Sequence, residues 1–342
     1  MKKDSVFIIA ELSANHGGDI EIAKKTIRAA KRTGADAIKL QTYTPGTITL
    51  DSDKEDFIIN SGSIWDGRKY YELYQEAYTP WEWQEELFQV AKEEGLICFS
   101  SPFDKTAVDF LEKLENPIYK IASFEITDIP LIEYAASKGK PMIISTGIAE
   151  FEDIQLAVET CRKAGNEDIT ILKCTSSYPA PIEEANLVMM QRFAKDFGVK
   201  VGLSDHTLGT TVPVVATALG AKVIEKHFIL DKSIGGPDAS FSLDEQEFTN
   251  MVTAVRKAEQ AMGQETYELT EKQKAGKAFA RSLYVAEDIK KGEEFTEKNV
   301  RSVRPGFGMH PKYLKDFLGK KTVSNLEKGE RISPNTMNFK DK

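Results

Sequence analysis

The chain alternates between short apolar segments and longer amphipathic segments, and this repeat limits its fold more than any other feature. The apolar segments have the length and composition of buried strands. They are residues 6–10, 36–43, 96–101, 117–123, 141–146, 168–174, 199–204 and 221–228. The helices predicted to follow them are residues 20–33, 80–94, 104–115, 128–138, 151–164, 183–196, 210–219 and 244–262. Eight strand-then-helix units are the number found in a (β/α)8 TIM barrel, so we predict this α/β fold rather than an open sheet.

The pattern changes after Met262, which predicts a second domain. We assign residues 1–262 to a catalytic barrel and residues 263–282, which are polar, to a linker. Residues 283–342 contain short strands and Lys-Gly-Glu turns, as expected for a small C-terminal module. A length of 342 residues suits a large barrel with such an addition.

Charge and apolar runs exclude two classes of partner. The net charge is −8, from 45 basic and 53 acidic residues, which argues against nucleic acid as a partner. The first apolar run, Val6–Ala10, is too short for a signal peptide or a membrane span. The three cysteines, Cys98, Cys161 and Cys174, are widely spaced, which favours reduced thiols. We therefore expect a cytoplasmic protein that does not interact with membranes.

Two of the four histidines end successive predicted strands. His206 follows VGLSD and His227 follows VIEK, with Asp205 and Glu225 as acidic neighbours. Side chains at the C-terminal ends of neighbouring parallel strands converge on one mouth of a barrel. Because imidazole is the commonest protein ligand of divalent metals, we predict a metal site, with ordinary core histidines as the alternative.

Lysines lie within two apolar strands and predict an anion site. Lys39 occurs in AIKLQ and Lys120 in YKIAS, where an ammonium group is costly unless it meets an anion. Serines stand at the ends of three other strands. Ammonium groups surrounded by hydroxyls suit a phosphate. Metal and phosphate together leave open an aldolase, an isomerase, a phosphatase or a condensing synthase.

Residues 44–79 form an unusually long connection on the catalytic side of the predicted barrel. Its aromatic residues are Phe57, Trp65, Tyr70, Tyr71, Tyr74 and Tyr78. Such an insertion often shapes a substrate pocket, although packing on the outside of the barrel is a comparable alternative.

Nearly the whole chain resembles the sialic acid synthase family. The resemblance rests on AELSANHGGDIEIAKKTIRAAKRTGADAIKLQTY, SSPFD, YKIAS, ISTG, CTSSYPAP, GLSDHTLG, VIEKHF, GGPD and VRPGFG. It implies a (β/α)8 barrel followed by a small antifreeze-like (SAF) domain. It also implies a transferase that condenses phosphoenolpyruvate with a hexose-type sugar to give a nine-carbon 2-keto acid.

Within the family, three segments are similar to the branch that forms pseudaminic acid. These are WDGRKYYELYQEAYTPWEW, FEITDIPLIEYAASKGKP and PDASFSLDEQEF. CTSSYP replaces the CTNIYP of neuraminate synthases, and Ala239 stands where they have His. The implied acceptor is 2,4-diacetamido-2,4,6-trideoxy-altrose, and the implied role is carbohydrate biosynthesis for flagellin glycosylation. A legionaminate or N-acetylneuraminate synthase is the alternative.

The resemblance also implies a role for each matching residue. His206 and His227 would bind Mn²⁺, with Mg²⁺ or Co²⁺ possible. The residues implied to hold phosphoenolpyruvate are Lys39, Ser101, Lys120, Ser123, Ser145 and Ser204, together with Ser176, which replaces an Asn. Glu11 corresponds to a carboxylate beside the metal or its water, and Gln41, Tyr178, Glu225 and Asp238 correspond to the sugar side. Arg304 would reach the partner subunit's active site, which implies a domain-swapped homodimer.

The implied reaction begins when C3 of phosphoenolpyruvate attacks the sugar aldehyde, which the metal polarises. Water then adds at C2, and phosphate leaves by C–O cleavage. Two other functions are weighed against it. A synthase of shorter keto-sugars would commonly lack the C-terminal module, and a carbohydrate- or ice-binding scaffold would not need lysines inside a barrel.

Overall fold

The computed structural model describes residues 5–336, and the chain divides into two compact units. They are Met1–Gly263 and Gln264–Lys342. No helix among the described residues is long and apolar enough to cross a membrane.

The first unit is a closed barrel of eight parallel strands that neighbour one another in chain order. The strands are β1 (Phe7–Glu11), β2 (Ala37–Thr42), β3 (Ile97–Pro102), β4 (Tyr119–Ile121), β5 (Met142–Ser145), β6 (Ile169–Cys174), β7 (Lys200–Asp205) and β8 (Val223–His227). All eight predicted strands are present, and the predicted (β/α)8 barrel is confirmed.

Ten helices belong to the described part of this unit, residues 5–263. They are α1 (Ile20–Thr33), α2 (Pro45–Ile48), α3 (Tyr70–Ala77), α4 (Trp81–Glu93), α5 (Lys105–Lys113), α6 (Ile129–Ala136), α7 (Phe151–Lys163), α8 (Met189–Phe197), α9 (Thr211–Ala218) and α10 (Glu245–Met262). Short 3₁₀ helices occur at Glu55–Phe57, Ser123–Glu125, Ile182–Glu184 and Lys232–Ile234.

One predicted helix was wrong at its start. Residues 183–196 were predicted to be continuous, but α8 begins only at Met189. The preceding residues form the 3₁₀ turn Ile182–Glu184, and Asn186 then adopts a φ of 41°. A left-handed residue interrupts the helical hydrogen-bond ladder, so the two segments cannot join.

Local signals explain where α1 begins and ends. The Asp19 carboxylate accepts a hydrogen bond from the Glu21 amide at 2.7 Å, which caps the first turn. At the other end Gly34 has a φ of 85°, and its amide donates to the Lys31 carbonyl. The buried face of α1 contains Ala23, Ile27 and Ala30.

The barrel interior changes from apolar to polar along the strands. Its apolar layer consists of Ile9, Ala37, Phe99, Ile143, Leu172 and Val223. The layer is tight at β7, where a Cβ on Gly202 would lie 2.5 Å from the Val223 carbonyl oxygen. Because alternate strand residues share a face, the next inward positions are at the C-terminal ends and include Glu11, Lys39, Ser101, Ser145 and Glu225. This polar end is the barrel mouth.

The second unit has its own small core. Two antiparallel strands, β9 (Ser282–Val285) and β10 (Val300–Val303), pair in it. Helices α11 (Glu271–Gly276) and α12 (Leu314–Phe317) and 3₁₀ turns at Lys277–Phe279, Pro311–Tyr313 and Pro334–Thr336 complete it. The buried core residues are Leu283, Val285, Ile289, Phe295, Val300, Phe317, Leu326 and Ile332. The unit therefore buries an apolar centre independently of the barrel.

Candidate active site

Four charged side chains from four strands meet inside the barrel mouth. The Lys39 ammonium lies 3.0 Å from a carboxylate oxygen of Glu11 and 3.0 Å from one of Glu225. Lys120 lies 3.3 Å from the other oxygen of Glu225. All four are buried, with exposed side-chain fractions of 1–6%. The predicted pair of inward lysines is present, and carboxylates balance its charge.

Burial and neighbouring charges shift the pKa values of the Glu11 and Glu225 carboxyls in opposite directions. Burial, reinforced by the charge of Glu225, raises the pKa of Glu11 to about 7, although Lys39 opposes the shift. Burial also acts on Glu225, but the ammonium groups of Lys120 and Lys39 outweigh it and lower its pKa to about 2. Glu225 is therefore the lasting negative charge, and Glu11 can gain a proton near neutral pH.

Two buried hydroxyls in the mouth have no hydrogen-bond partner among the described residues. They belong to Ser101 on β3 and Ser145 on β5, which are 0% and 1% exposed. The strand between them, β4, supplies Lys120. Unsatisfied buried polar atoms are uncommon in folded proteins and often indicate a ligand. These hydroxyls beside an ammonium group suit an anion with several acceptor oxygens.

A second hydroxyl pair lies at the ends of β4 and β6. The hydroxyls of Ser123 and Ser176 are 2.8 Å apart. A Cβ on Gly147 would lie 2.0 Å from the Ser176 oxygen and 2.6 Å from the Ser123 oxygen. Only glycine therefore leaves the pair in place, and sequence reasoning did not select Gly147, although it stands in the ISTG segment. Ser204, the remaining predicted serine, donates to Glu225 at 3.2 Å.

The structure brings the two histidines of the predicted metal site together. The ring centroids of His206 and His227 are 5.3 Å apart. His206 Nδ1 lies 2.9 Å from the Thr175 carbonyl oxygen, which can only accept, so in the neutral ring this nitrogen carries the proton and Nε2 has the lone pair. The His227 Nδ1 atom is buried and has no hydrogen-bond partner within residues 5–336.

This pair fits a divalent ion as a two-ligand site. Burial lowers the pKa of His227 well below its usual range and so favours the neutral form that binds metals. No group of three or more His, Cys, Asp or Glu side chains in residues 5–336 has the geometry to hold a metal.

The predicted sugar-side residues surround the histidines. Tyr178 packs on His206 with ring centroids 4.5 Å apart, and Asp238 lies 3.6 Å from His227 Nδ1. Gln41 donates to Glu11 at 3.1 Å and so joins this side to the charged cluster. Phe241 packs against both histidines and Tyr178, a contact that the isolated SFSL segment did not reveal.

Asp205 does not face the mouth, which corrects its predicted role as an acidic neighbour of the metal. It lies opposite the inward Ser204 on β7 and forms a buried ion pair with Lys226 of β8. Lys226 also donates to the Thr207 carbonyl, and the Thr207 amide donates to Asp205 at 2.9 Å. The pair therefore ties together the segments that contain His206 and His227.

A further carboxyl in the mouth was not predicted. Glu125 follows Ser123 in the 3₁₀ turn, and its Oε2 atom is buried without a hydrogen-bond partner in the described part of the chain. Burial raises its pKa to about 7, so it can exchange a proton near neutral pH. The sequence signal that could have identified Glu125 is its position two residues after Ser123, the last residue of the YKIAS segment.

His16 does not join this group. It packs against Trp83 with ring centroids 5.6 Å apart, and its Nδ1 accepts from the Gly18 amide. It holds the loop after β1. Arg304 belongs to the second unit, where it is exposed and follows β10.

A closed (β/α)8 barrel with ionisable groups collected at the C-terminal ends of its strands defines an enzyme of the barrel class. The model of the NeuB family matches residues 26–267, and that of the SAF domain matches residues 280–336. The chain belongs to the NeuB family, and the predicted resemblance and its C-terminal SAF domain are confirmed.

Two curated proteins of Campylobacter jejuni subsp. jejuni serotype O:2 are similar to different degrees. The chain is 54% identical to its pseudaminic acid synthase over 327 residues, which covers 96% of this chain and 95% of that protein. It is 38% identical to its N,N'-diacetyllegionaminic acid synthase over 336 residues, covering 97% and 99%. These relatives identify the chain as a synthase.

A solved structure supports the same family. The N-acetylneuraminic acid (sialic acid) synthetase from Leptospira borgpetersenii serovar Hardjo-bovis, in complex with citrate, has a TM-score of 0.71 and 30% identity. The match covers 80% of this chain and 90% of that one.

Proposed function

We propose that the protein condenses phosphoenolpyruvate with 2,4-diacetamido-2,4,6-trideoxy-altrose to give pseudaminic acid and phosphate by C–O cleavage. The high identity to a pseudaminic acid synthase over nearly the full length supports the choice of sugar. The observation that supports the phosphoenolpyruvate site is the pair of unpartnered hydroxyls, Ser101 and Ser145, beside Lys120.

Phosphoenolpyruvate would bind by replacing carboxylate contacts inside the barrel. Lys39 and Lys120 are neutralised by Glu11 and Glu225 in the absence of substrate. A bound phosphate and carboxylate would bring negative charge, which favours protonation of Glu11 because its pKa is already raised to about 7. Lys39 could then turn to the substrate without leaving an uncompensated carboxylate. The hydroxyls of Ser101, Ser123, Ser145, Ser176 and Ser204 would donate hydrogen bonds to the anion.

The sugar would occupy the side of the mouth near the histidines. Gln41 and Asp238 offer donors and acceptors there, and the Tyr178 ring supplies an apolar surface. Glu125 is suited to proton exchange because its buried Oε2 atom has no hydrogen-bond partner among the described residues and burial raises its pKa to about 7.

We further propose that His206 and His227 hold a divalent ion, Mn²⁺ by preference, with Mg²⁺ or Co²⁺ as substitutes. The unpartnered His227 Nδ1 and the fixed tautomer of His206 support this assignment. Such an ion would polarise the sugar aldehyde as a Lewis acid. Replacement of either histidine by Ala should abolish Mn²⁺ binding measured by electron paramagnetic resonance, and retained binding would exclude the site.

The proposal includes a domain-swapped homodimer in the cytoplasm, in which Arg304 reaches the sugar of the partner subunit. The exposure of Arg304 beyond β10 is compatible with a contact to another chain. Arg304→Ala should then raise the sugar KM more than the phosphoenolpyruvate KM. Mixing this variant with a His206→Ala variant should restore part of the activity, and no restoration would argue against a shared site.

The decisive experiment measures phosphate release from phosphoenolpyruvate with a panel of sugars, with and without Mn²⁺. The panel contains the altro-configured diacetamido sugar, the corresponding legionaminate precursor and N-acetylmannosamine. We expect the largest kcat/KM with the first sugar. A preference for the legionaminate precursor would support the function of the more distant relative, and sugar binding without phosphate release would favour a carbohydrate-binding scaffold.

A further inference from the structure

The long connection between β2 and β3 contains a loop with a fixed shape. We call residues 59–69 the Trp65 loop. Its ends are closed by hydrogen bonds from the Ile59 amide to the Arg68 carbonyl and from the Gly67 amide to the Ile59 carbonyl, both at 2.8 Å. At its tip the Asp66 carboxylate accepts from the amides of residues 61, 62 and 63 at 2.9–3.1 Å. These bonds hold the intervening Trp65 in a defined position.

The Trp65 loop delivers its indole to the sugar side of the mouth. The rings of Trp65 and Tyr178 pack with centroids 5.5 Å apart, and Tyr178 in turn packs on His206. The loop therefore touches the proposed sugar site directly. Packing on the outer surface of the barrel, the alternative for these aromatic residues, does not apply to Trp65.

The indole also has an unused hydrogen-bond donor. Its Nε1 atom is buried and lacks a partner among the described residues. By contrast, Nε1 of Trp81 donates to the Tyr43 carbonyl at 3.0 Å. Buried indole N–H groups normally find an acceptor, so the isolated donor of Trp65 is suited to an acceptor that a ligand brings.

We propose that Trp65 is a specificity-determining residue that binds the C4 acetamido group of the acceptor sugar, which N-acetylmannosamine lacks. The indole face would pack against the acetamido methyl, and Nε1 would donate to its carbonyl oxygen. This inference rests on the proposed function. A 2,4-diacetamido-6-deoxy sugar presents two acetamido groups and a methyl, whereas N-acetylmannosamine has one acetamido group and hydroxyls at C4 and C6. An aromatic wall with a single donor favours the less polar sugar.

Two substitutions distinguish the contribution of the Trp65 aromatic ring from that of its Nε1–H donor. Trp65→Phe keeps an aromatic ring but removes the N–H, and Trp65→Ala removes both. Ile64→Ala is the matched control, because Ile64 lies in the same loop and is 56% exposed. Each variant is tested in steady-state kinetics with the diacetamido sugar, N-acetylmannosamine and phosphoenolpyruvate.

We expect a graded loss that is confined to the sugar. Trp65→Ala should raise KM for the diacetamido sugar about tenfold, through loss of an aromatic contact and a hydrogen bond. Trp65→Phe should raise it about fivefold through the hydrogen bond alone. The preference over N-acetylmannosamine should fall in the same order. KM for phosphoenolpyruvate should stay within about twofold of wild type, as should all constants of Ile64→Ala.

The inference is overturned if Trp65→Phe and Trp65→Ala leave the sugar KM unchanged, or if both sugars or phosphoenolpyruvate are affected equally. Failure of the proposed function looks different, because wild-type protein would then condense another sugar best. In that event the same variants are compared with the preferred sugar. A sugar KM that rises in the same graded way keeps the role of Trp65, and an unchanged KM rejects it.

Discussion

Replacement of Lys226 by Met should destabilise the barrel strongly, because Lys226 neutralises a carboxylate that water does not reach. The side chains of Lys226 and Asp205 are 0% and 2% exposed. The ammonium group also satisfies the Thr207 carbonyl. Methionine fills a similar volume but leaves the Asp205 charge and that carbonyl without their partner.

The expected cost is about 3–5 kcal/mol in the free energy of unfolding, the usual range when one member of a buried ion pair is removed. Adding Asp205→Asn should recover part of this loss, because the uncompensated charge disappears. Lys200→Met provides the control, because Lys200 lies on β7, the strand that contains Asp205. Lys200 pairs with Asp168 at 2.7 Å, but these side chains are 61% and 50% exposed, so its loss should cost at most about 1 kcal/mol.

Urea unfolding of the four proteins, monitored by circular dichroism, measures these differences at unchanged m-value. Mn²⁺ binding should also weaken in Lys226→Met, because Thr207 directly follows His206. The reasoning is refuted if Lys226→Met is no less stable than Lys200→Met, or if the double variant is as unstable as Lys226→Met alone.

Four further predictions concern the barrel mouth. Ser145→Ala should raise the phosphoenolpyruvate KM about tenfold without loss of stability, since its hydroxyl has no partner in the free protein; a lowered midpoint in urea would contradict this. Gly147→Ala should have a similar effect on KM because its Cβ would displace the Ser176 hydroxyl, and an unchanged KM would show that the hydroxyl is not needed. Because the pKa of Glu11 is raised to about 7 in the folded protein, the wild type should lose stability relative to Glu11→Gln as pH rises from about 4.5 to about 7. Thermal melts across that range should show the midpoint of the wild type falling progressively relative to that of the variant. Glu125→Gln should lower kcat by about a hundredfold with little change in either KM, and a kcat within twofold of wild type would exclude proton transfer by this group.

Periodicity was sufficient to predict the barrel, because each strand-then-helix unit is a local pattern. The eight strands and the inward direction of Lys39 and Lys120 followed from alternation within single segments. The start of α8 could not be predicted in this way. The apolar spacing continues through residues 183–188, but the left-handed conformation of Asn186 prevents a helix from continuing through them.

Contacts between distant segments were beyond sequence reasoning. Asp205 precedes His206 in the chain, but strand alternation places its side chain on the outer face of the barrel, where it pairs with the buried Lys226. Phe241 and Trp65 reach Tyr178 only through loop geometry. Lys39 and Lys120 were predicted to bind an anionic ligand, whereas in the free protein the carboxylates of Glu11 and Glu225 pair with them. Each of these outcomes depends on pairs of residues that are far apart in the chain.

The alternation along β8 has a consequence for how such an enzyme can change. Glu225 and His227 face the mouth while Lys226 faces the helices, so insertion of a single residue in this strand would exchange the two sets. The ammonium group would then enter the mouth, and the carboxylate and imidazole would be buried against apolar helices. The chemistry on both faces of β8 therefore fixes which of its residues point inward. New sugar preferences must instead come from connections in which residues can be inserted without reversing such an alternation, and the Trp65 loop is such a connection.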